Sequence, residues 1–445
     1  MNIAVWHNLP SGGASRALHQ HIKGLAQRGH QVTVYTTSMA DSTYLDVNQY
    51  AGTPQIVSLD LTTRIRHQYR DNLRSLAYLP DTQVERMLAA CQQSARQIQA
   101  GGHDVLFANS CQTFMMPYIG RFVDLPKVLY LGEPNRMLFE AFPTQRWAAL
   151  PDATANWRKA SYRQLFWRDL FEQRKARVRV REELANYRSF DKVLLNSYFS
   201  NESVVRAYGA DRTGATQRNE VCYLGIDADL FPYLDLPRKP FVVGLGAFFP
   251  HKRPDTAIRA LAQLPVKRRP PLVWIGNMGN EAYVADMKRL SNELGVDFLP
   301  RERVPQAELI ELLNTATCLL YTSELEPFGF APLEANACGL PVVAVAEGGI
   351  RETVVDGLNG LLAPRDPARL AAGVERLLND AALHRRLSDQ GRAWVAENWH
   401  TSPAIDRLEG ALQAVVDRSS SVNRQQEQPV TSALTPAPAP YRSGS

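Results

Sequence analysis

Residues 317–346 form the stretch that most constrains how this chain folds. Two apolar runs, Thr317 to Thr322 and Pro341 to Ala346, predict buried strands on either side of a turn and a helix. Pro332 is tolerated only in the first helical turn, where its missing N–H has no intrahelical partner, so the helix is predicted to begin near Phe328 or Gly329. Gly339 then ends it. Strand, turn, helix and strand together predict a βαβ unit of a parallel sheet.

The start of that helix has the chemistry of an anion site. The N–H groups of its first residues lack intrahelical partners and lie at the positive end of the helix dipole. Glu326 and Glu334 bracket this end and would lie about 12 Å apart at a rise of about 1.5 Å per residue. A ligand with a diphosphate in its middle and hydroxyls at both ends, such as a sugar nucleotide, fits that spacing. An ordinary buried βαβ unit with two capping carboxylates is the alternative.

The N-terminus of the chain repeats the same theme. A strand at Asn2–His7, a loop with Gly12 and Gly13, a helix near 15–28 and a strand at Gln31–Thr37 predict a nucleotide-type βαβ opening. The paired glycines let backbone N–H groups close over a diphosphate. A plain tight turn is the alternative.

Length and composition exclude several classes of protein. The 445 residues suffice for about two domains, and 45% apolar with 21% charged residues is typical of a globular chain. No run of 18 apolar residues and no signal peptide are found, and the five scattered cysteines suit a reducing cytosol. We therefore expect a cytoplasmic protein. A net charge of +5 without a recognised nucleic-acid motif predicts no nucleic-acid partner.

The segment 137–190 predicts a helical excursion with an unusual surface. Between residues 146 and 181, ten basic residues stand against three acidic ones, and six aromatic side chains are interleaved with them. Basic and aromatic residues on one helix are typical of a peripheral contact with a membrane, here through 146–181 on the inner face. The alternative is a solvated helix whose aromatic residues pack on the domain.

The nineteen residues EPFGFAPLEANACGLPVVA, with Glu326 and Glu334 eight positions apart, resemble the E-x7-E motif of the retaining GT-B glycosyltransferases of family 4, the group 1 glycosyltransferases. The resemblance extends over about 400 residues. It implies an α/β GT-B fold, in which two Rossmann-like domains face each other across a cleft. The predicted boundaries are an acceptor-side N-terminal domain (1–231), a linker (232–240), a nucleotide-sugar-binding domain (241–400), a helix packing back on the first domain (401–417) and a disordered tail (418–445).

The resemblance also implies a function. It predicts a metal-independent, retaining transfer of a hexose-type sugar from a nucleoside diphosphate sugar to a hydroxyl of a glycan, lipid-linked or small-molecule acceptor, with no further cofactor. Asp227 and Asp229 are accordingly assigned to the "GID…F" segment that ends the first domain, not to a metal site. The predicted catalytic residues are Lys252, Glu326 and Glu133. The predicted donor-binding residues are Gly12, Gly13, Arg253, Val304, Pro327, Phe328, Gly329, Phe330 and Glu334.

Each role follows from the resemblance. Lys252 and the backbone N–H groups would stabilise charge on the leaving phosphate, which takes the proton of the acceptor hydroxyl. Glu326 would hold sugar hydroxyls, and Glu334 both ribose hydroxyls. The nucleobase would lie near the loop Arg301–Pro305, which includes Val304.

Two departures from the family pattern leave alternatives open. Family members usually carry an arginine five residues before the lysine, where this chain has Ala247, and we expect Arg253 to replace it in part. Many carry a histidine that contacts the donor sugar after the strand Lys127–Gly132, where this chain has Glu133, which would bond a hydroxyl instead or serve the acceptor. The alternatives are a donor-binding but inactive partner subunit and a GT-B enzyme of another reaction, such as an epimerase.

Overall fold

The computed structural model describes residues 1–41, 46–61, 82–140, 157–209, 218–277 and 279–427. Its N-terminal half contains a parallel seven-stranded sheet in the order β3-β2-β1-β4-β5-β6-β7. The strands are β1 (Asn2–Asn8), β2 (Gln31–Thr37), β3 (Gln55–Val57), β4 (Val105–Cys111), β5 (Lys127–Leu131), β6 (Lys192–Leu195) and β7 (Asn219–Val221). The central strands are buried on both faces, as apolar runs such as Ile3-Ala4-Val5-Trp6 require.

Helices cover both faces of this sheet. They are α1 (Gly13–Gln27), α2 (Asn48–Ala51), α3 (Thr82–Ala100), α4 (Arg136–Phe139), α5 (Ala160–Arg188) and α6 (Tyr198–Tyr208). Residues 141–156, which belong to the predicted helical excursion, lie outside the described residues. The strand order reverses between β1 and β4, so their carboxyl ends open a crevice at the sheet edge.

The C-terminal half repeats this order in a parallel six-stranded sheet, β10-β9-β8-β11-β12-β13. Its strands are β8 (Val242–Leu245), β9 (Leu272–Gly276), β10 (Phe298–Glu302), β11 (Cys318–Tyr321), β12 (Val342–Val345) and β13 (Gly360–Ala363). Its helices are α7 (Pro254–Ala262), α8 (Glu281–Leu294), α9 (Gln306–Thr315), α10 (Phe330–Ala337), α11 (Ile350–Thr353), α12 (Pro367–Asn379) and α13 (Ala381–Asn398). The order reverses between β8 and β11. The predicted α/β fold with two Rossmann-like halves is confirmed.

The last helix, α14 (Thr401–Glu427), lies against α1, β4 and β5 of the first sheet. The prediction of a disordered tail from residue 418 is wrong for 418–427, which continue this helix, and residues 428–445 lie outside the described part. Arginine, glutamine and glutamate favour helix, so a helix whose earlier turns are anchored on the first domain continues through residues 418–427. Among the described residues, no helix is long and apolar enough to cross a membrane.

One apolar cluster joins the two halves. It contains residues of β1, α1 and α14 together with Phe328 and Leu333 from the βαβ unit of the second sheet. Trp399 lies at the centre of this junction, with its ring edge-on to Phe328 at 5.5 Å and to Tyr223 at 5.2 Å. The segment that carries the E-x7-E motif is therefore packed directly against the first domain.

Candidate active site

Two loops at the carboxyl ends of the neighbouring strands β8 and β11 are fastened to each other. The Thr322 hydroxyl donates to the carbonyl of Arg253 at 2.8 Å, and the Glu324 N–H donates to the carbonyl of His251 at 2.8 Å. Because both loops leave the sheet at the point where its order reverses, these bonds bring Lys252 beside Glu326 although 74 residues separate them.

Lys252 and Glu326 form a close, largely buried ion pair. Lys252 Nζ lies 2.6 Å from Glu326 Oε2, and the Ser323 hydroxyl donates to the same oxygen at 2.7 Å. Burial by itself would raise the pKa of Glu326, but Lys252 and the hydroxyls of Ser323 and Tyr321 outweigh it and lower the pKa to about 2. Glu326 is therefore a fixed carboxylate.

Glu133 follows β5 of the first domain, and its charge is coupled to those of the Lys252–Glu326 pair. Its carboxylate is 3.7 Å from Arg136 and interacts electrostatically with Glu326 and Lys252. Burial raises the pKa of Glu133 to about 7; Arg136 opposes this rise and the neighbouring Glu326 adds to it. Two carboxyl groups with widely separated pKa values therefore share one site, an arrangement common in active sites.

The starts of α1 and α10 converge beside this pair. Gly329 precedes α10 with a φ of 96°, and Gly12 precedes α1 with a φ of 145°, and neither helix has a side-chain cap or an acidic residue in its first turn. Gly13 lies so close to Phe330 that an added Cβ would contact that ring at 3.6 Å. The structure thus brings together two helix N-termini with unshielded positive ends. Glu326 precedes α10, as expected, and Glu334 lies inside it, so the rise of a helix applies to only part of the spacing between them.

Glu334 lies inside α10 and is 5% exposed. Its Oε1 accepts a hydrogen bond from Arg16 Nη1, which comes from the first turn of α1 in the other domain. The sequence analysis did not identify Arg16. The positive end of a helix dipole repels a cation in the first turn of that helix. The position of Arg16 in the first turn of α1 was therefore a sign, available from the sequence, that it has an anionic partner.

Arg253 and Val304, two of the other predicted donor-binding residues, have different surroundings. Arg253 adopts a φ of 55° and turns away from the Lys252–Glu326 pair, bonding Asp255 at 3.0 Å and Glu324 at 3.4 Å. The expectation that it replaces the arginine missing at Ala247 is therefore not supported by its contacts. Val304 packs against the apolar core of the second domain beside α9.

Hydrogen bonds between side chains and backbone groups join the two domains at the base of the cleft. The Ser197 hydroxyl donates to the Pro327 carbonyl at 2.6 Å, and Arg136 donates to the Leu325 carbonyl at 3.2 Å. Glu352 accepts the N–H groups of Tyr198 and Phe199, both at 2.9 Å, so the second domain caps α6 of the first. Sequence reasoning missed these contacts between the domains because each has a backbone group on one side, which leaves no mark in a side-chain pattern.

A metal site is not evident in the described residues, where no group of three or more His, Cys, Asp and Glu side chains is placed to hold an ion. Asp227, one of the pair that resembles a metal motif, instead bonds Lys23 at 3.0 Å.

Two family models match the chain in succession. The model for "Glycosyltransferase Family 4" matches residues 11–230, and that for "Glycosyl transferases group 1" matches residues 228–394. Together they match residues 11–394 and overlap at residues 228–230.

Individual proteins match the chain over part of its sequence, or over most of its structure at low sequence identity. The chain is 29% identical over 260 residues to a D-inositol 3-phosphate glycosyltransferase 1 of Catenulispora acidiphila, covering 54% of this chain and 61% of that protein. It is 32% identical over 171 residues to a GDP-mannose-dependent alpha-(1-6)-phosphatidylinositol monomannoside mannosyltransferase of Mycolicibacterium smegmatis, covering 36% and 44%. The matches thus span about half the length of these curated relatives. The crystal structure of Anabaena HepE in complex with UDP-glucose superposes with a TM-score of 0.66 at 20% identity, over 95% of this chain and 100% of that one, which shows a shared fold.

Proposed function

Because the chain belongs to the group 1 glycosyltransferases of family 4, with the GT-B fold, we propose that it moves a hexose-type sugar from a nucleoside diphosphate sugar to an acceptor hydroxyl with retention of configuration. One observation carries the proposal. The starts of α1 and α10 converge between two carboxylates, Glu326 and Glu334, where both sheets reverse their strand order. Anions favour such helix ends, and carboxylates bind hydroxyls, so the site suits a diphosphate flanked by two sugars.

The leaving group needs positive charge that is already in position. As the bond between the sugar and the diphosphate breaks, negative charge develops on the phosphate oxygen and the sugar becomes cationic in character. Lys252, held against Glu326 at 2.6 Å, supplies the ammonium, and the N–H groups of α10 supply dipoles. Glu326, with its pKa lowered to about 2, stays ionised, bonds the sugar hydroxyls and stabilises the developing cation.

Glu133 orients the acceptor in this mechanism. Glu133 interacts electrostatically with Lys252 and Glu326, which supports a position next to the transferred sugar, on the side contributed by the first domain. As a carboxylate it accepts a hydrogen bond from the attacking hydroxyl, whose proton then passes to the leaving phosphate on the same face of the sugar. This route retains the configuration and needs no metal ion or separate cofactor.

The names of the relatives narrow the substrates to be tested. One is named as dependent on GDP-mannose and acts on a phosphatidylinositol mannoside, one acts on D-inositol 3-phosphate, and HepE binds UDP-glucose. We therefore propose a UDP- or GDP-sugar donor and a glycan, lipid-linked or small polyhydroxyl acceptor, with no role for nucleic acid.

We also propose a cytoplasmic location with a peripheral contact to the inner membrane face through α5 and the residues before it. Trp157, Trp167, Leu170 and Phe171 are between 43% and 52% exposed, and they lie among arginines and lysines. Such a surface inserts aromatic rings at the headgroup level while its cations attract anionic lipids.

Vesicle co-sedimentation tests the membrane contact. We expect binding to vesicles containing phosphatidylglycerol, weaker binding to neutral phosphatidylcholine, and loss of binding in a Trp167→Ser, Phe171→Ser variant with unchanged melting temperature. Equal sedimentation of this variant and the wild type would refute the contact without affecting the donor site.

Thermal stabilisation by UDP-, GDP-, ADP- and TDP-sugars tests the donor site. A ligand that binds only the native state adds about 2.7 kcal/mol of stability at a hundredfold excess over its Kd. We expect one base to raise the melting temperature, and we expect Glu334→Ala to remove the shift. Released nucleoside diphosphate then reports turnover. Binding without turnover, including slow hydrolysis, would favour an inactive partner subunit, and no binding of any donor would refute the proposed function.

A further inference from the structure

Arg16 is the residue whose position the sequence analysis does not explain. It belongs to the first turn of α1, where its own N–H bonds the Gly12 carbonyl at 3.0 Å, so the glycine loop fixes its backbone. Its side chain crosses the cleft to Glu334 and is 29% exposed, while the Glu334 side chain is 7% exposed. A long cation is therefore held at the point where the two helix starts converge.

Two cations of the second domain near this point, Arg253 and Lys252, bond other residues or act at the other end of the site. Arg253 bonds Asp255 and Glu324, and position 247 is an alanine. Lys252 lies against Gly246 and bonds Glu326, on the sugar side. The two phosphates of a nucleoside diphosphate are both anionic, and Lys252 is a single point charge.

From this geometry we infer that Arg16 binds the diphosphate of the donor, on the nucleoside side, as the counterpart of Lys252 on the sugar side. The inference rests on the proposed function. A guanidinium has five N–H donors in a planar fork, so a bond to Glu334 Oε1 is compatible with a bidentate contact to a phosphate. A carboxylate has two oxygens, so Glu334 can hold ribose hydroxyls and Arg16 together.

The chemistry of the ligand joins these contacts. The ribose that Glu334 holds carries the diphosphate on its 5′-oxygen, so a cation bonded to Glu334 lies within reach of the adjoining phosphate. The dipole of α1 disfavours a cation in its first turn, and an anion bound at that turn removes the conflict. Arg16 is thus a binding residue of the first domain that contributes to the affinity for a nucleoside diphosphate and not to that for the nucleoside alone.

Calorimetric titration of UDP and GDP, each beside uridine or guanosine, tests this role. For whichever diphosphate the wild type binds, we expect Arg16→Gln to weaken affinity roughly 10- to 100-fold, the range for hydrogen bonds to charged groups. The matching nucleoside, which lacks phosphate, should change by less than about 3-fold on the same basis. Arg16→Lys, which keeps the charge without the fork, should lie between the two.

Arg28→Gln is the matched control. Arg28 directly follows the same helix and bonds Glu409 at 2.6 Å, far along α1 from the glycine loop, so this variant should bind diphosphate and nucleoside as the wild type does. Equal binding of the diphosphate by Arg16→Gln and the wild type overturns the inference, and so does an equal loss for diphosphate and nucleoside, which would mean that Arg16 only positions Glu334. Failure of the wild type to bind either diphosphate overturns the proposed function itself.

Discussion

Replacing Glu133 with glutamine tests the pocket most directly, because this change removes an ionisable group and keeps its shape. Burial raises the pKa of Glu133 from 4.5 to about 7, with Glu326 adding to the rise and Arg136 opposing it. Glu133 therefore changes its charge within the pH range in which the enzyme would work.

The expected size of the effect follows from this value. With a pKa of about 7, roughly half of the Glu133 side chains are ionised at pH 7 and about 1% at pH 5, so transfer that needs the carboxylate should fall about 50-fold between them. The glutamine variant should be slower than the wild-type plateau by about 100-fold and show no dependence on pH in this range.

The assay measures kcat/KM for sugar transfer from initial rates between pH 5 and pH 8. It uses the donor that thermal stabilisation identifies. Glu183→Gln is the control, because burial also raises the pKa of Glu183 to about 7, while its carboxylate faces the Met116 N–H and the Asn135 amide instead of the pocket. The control should keep the inflection. A flat wild-type profile, or an inflection that survives in Glu133→Gln and disappears in Glu183→Gln, would refute the assignment.

Three further outcomes are expected. Lys252→Ala should lower kcat by a factor of 100 or more and change the Kd of the donor much less, as single-turnover and binding measurements can show, because its charge acts on the leaving phosphate. Between pH 4.5 and 7 the folded state keeps a proton on Glu183 that the unfolded state releases, so this residue should cost the wild type about 3 kcal/mol of stability as pH rises. Glu183→Gln should abolish this loss, and urea unfolding at pH 5 and pH 8 measures it. Gly24→Ala should cost about 1–3 kcal/mol by pushing the α14 residue Ile405 from α1, and an unchanged melting temperature would contradict this packing.

Much of the fold could be predicted because the strands of a parallel sheet have a recognisable sequence pattern. Their strands are buried on both faces and read as apolar runs, and the predicted strand Gln31–Thr37 agrees with β2 to the residue. The end of α14 was missed because residues 418–427 are mostly polar and have no hydrophobic period that would predict a helix.

The motif residues Glu326, Glu334, Lys252 and the glycine pair were likewise available from the sequence, since turns, helix starts and carboxylate spacing have local causes. Local patterns could not decide the direction of a side chain. Arg253 was expected in the site because it adjoins Lys252, but its positive φ turns it to Asp255 and Glu324.

The sequence by itself determined the two nucleotide-type βαβ units, the glycines at their turns and the family to which the chain belongs, because each depends on residues close together in the chain. Only the tertiary structure decided that Arg16 meets Glu334 across 318 residues and that Glu133 lies beside Lys252 and Glu326. These pairings depend on how the two sheets face each other. The same burial that forms the pocket separates the pKa values of its two carboxyl groups, a property that neither residue has in the isolated chain.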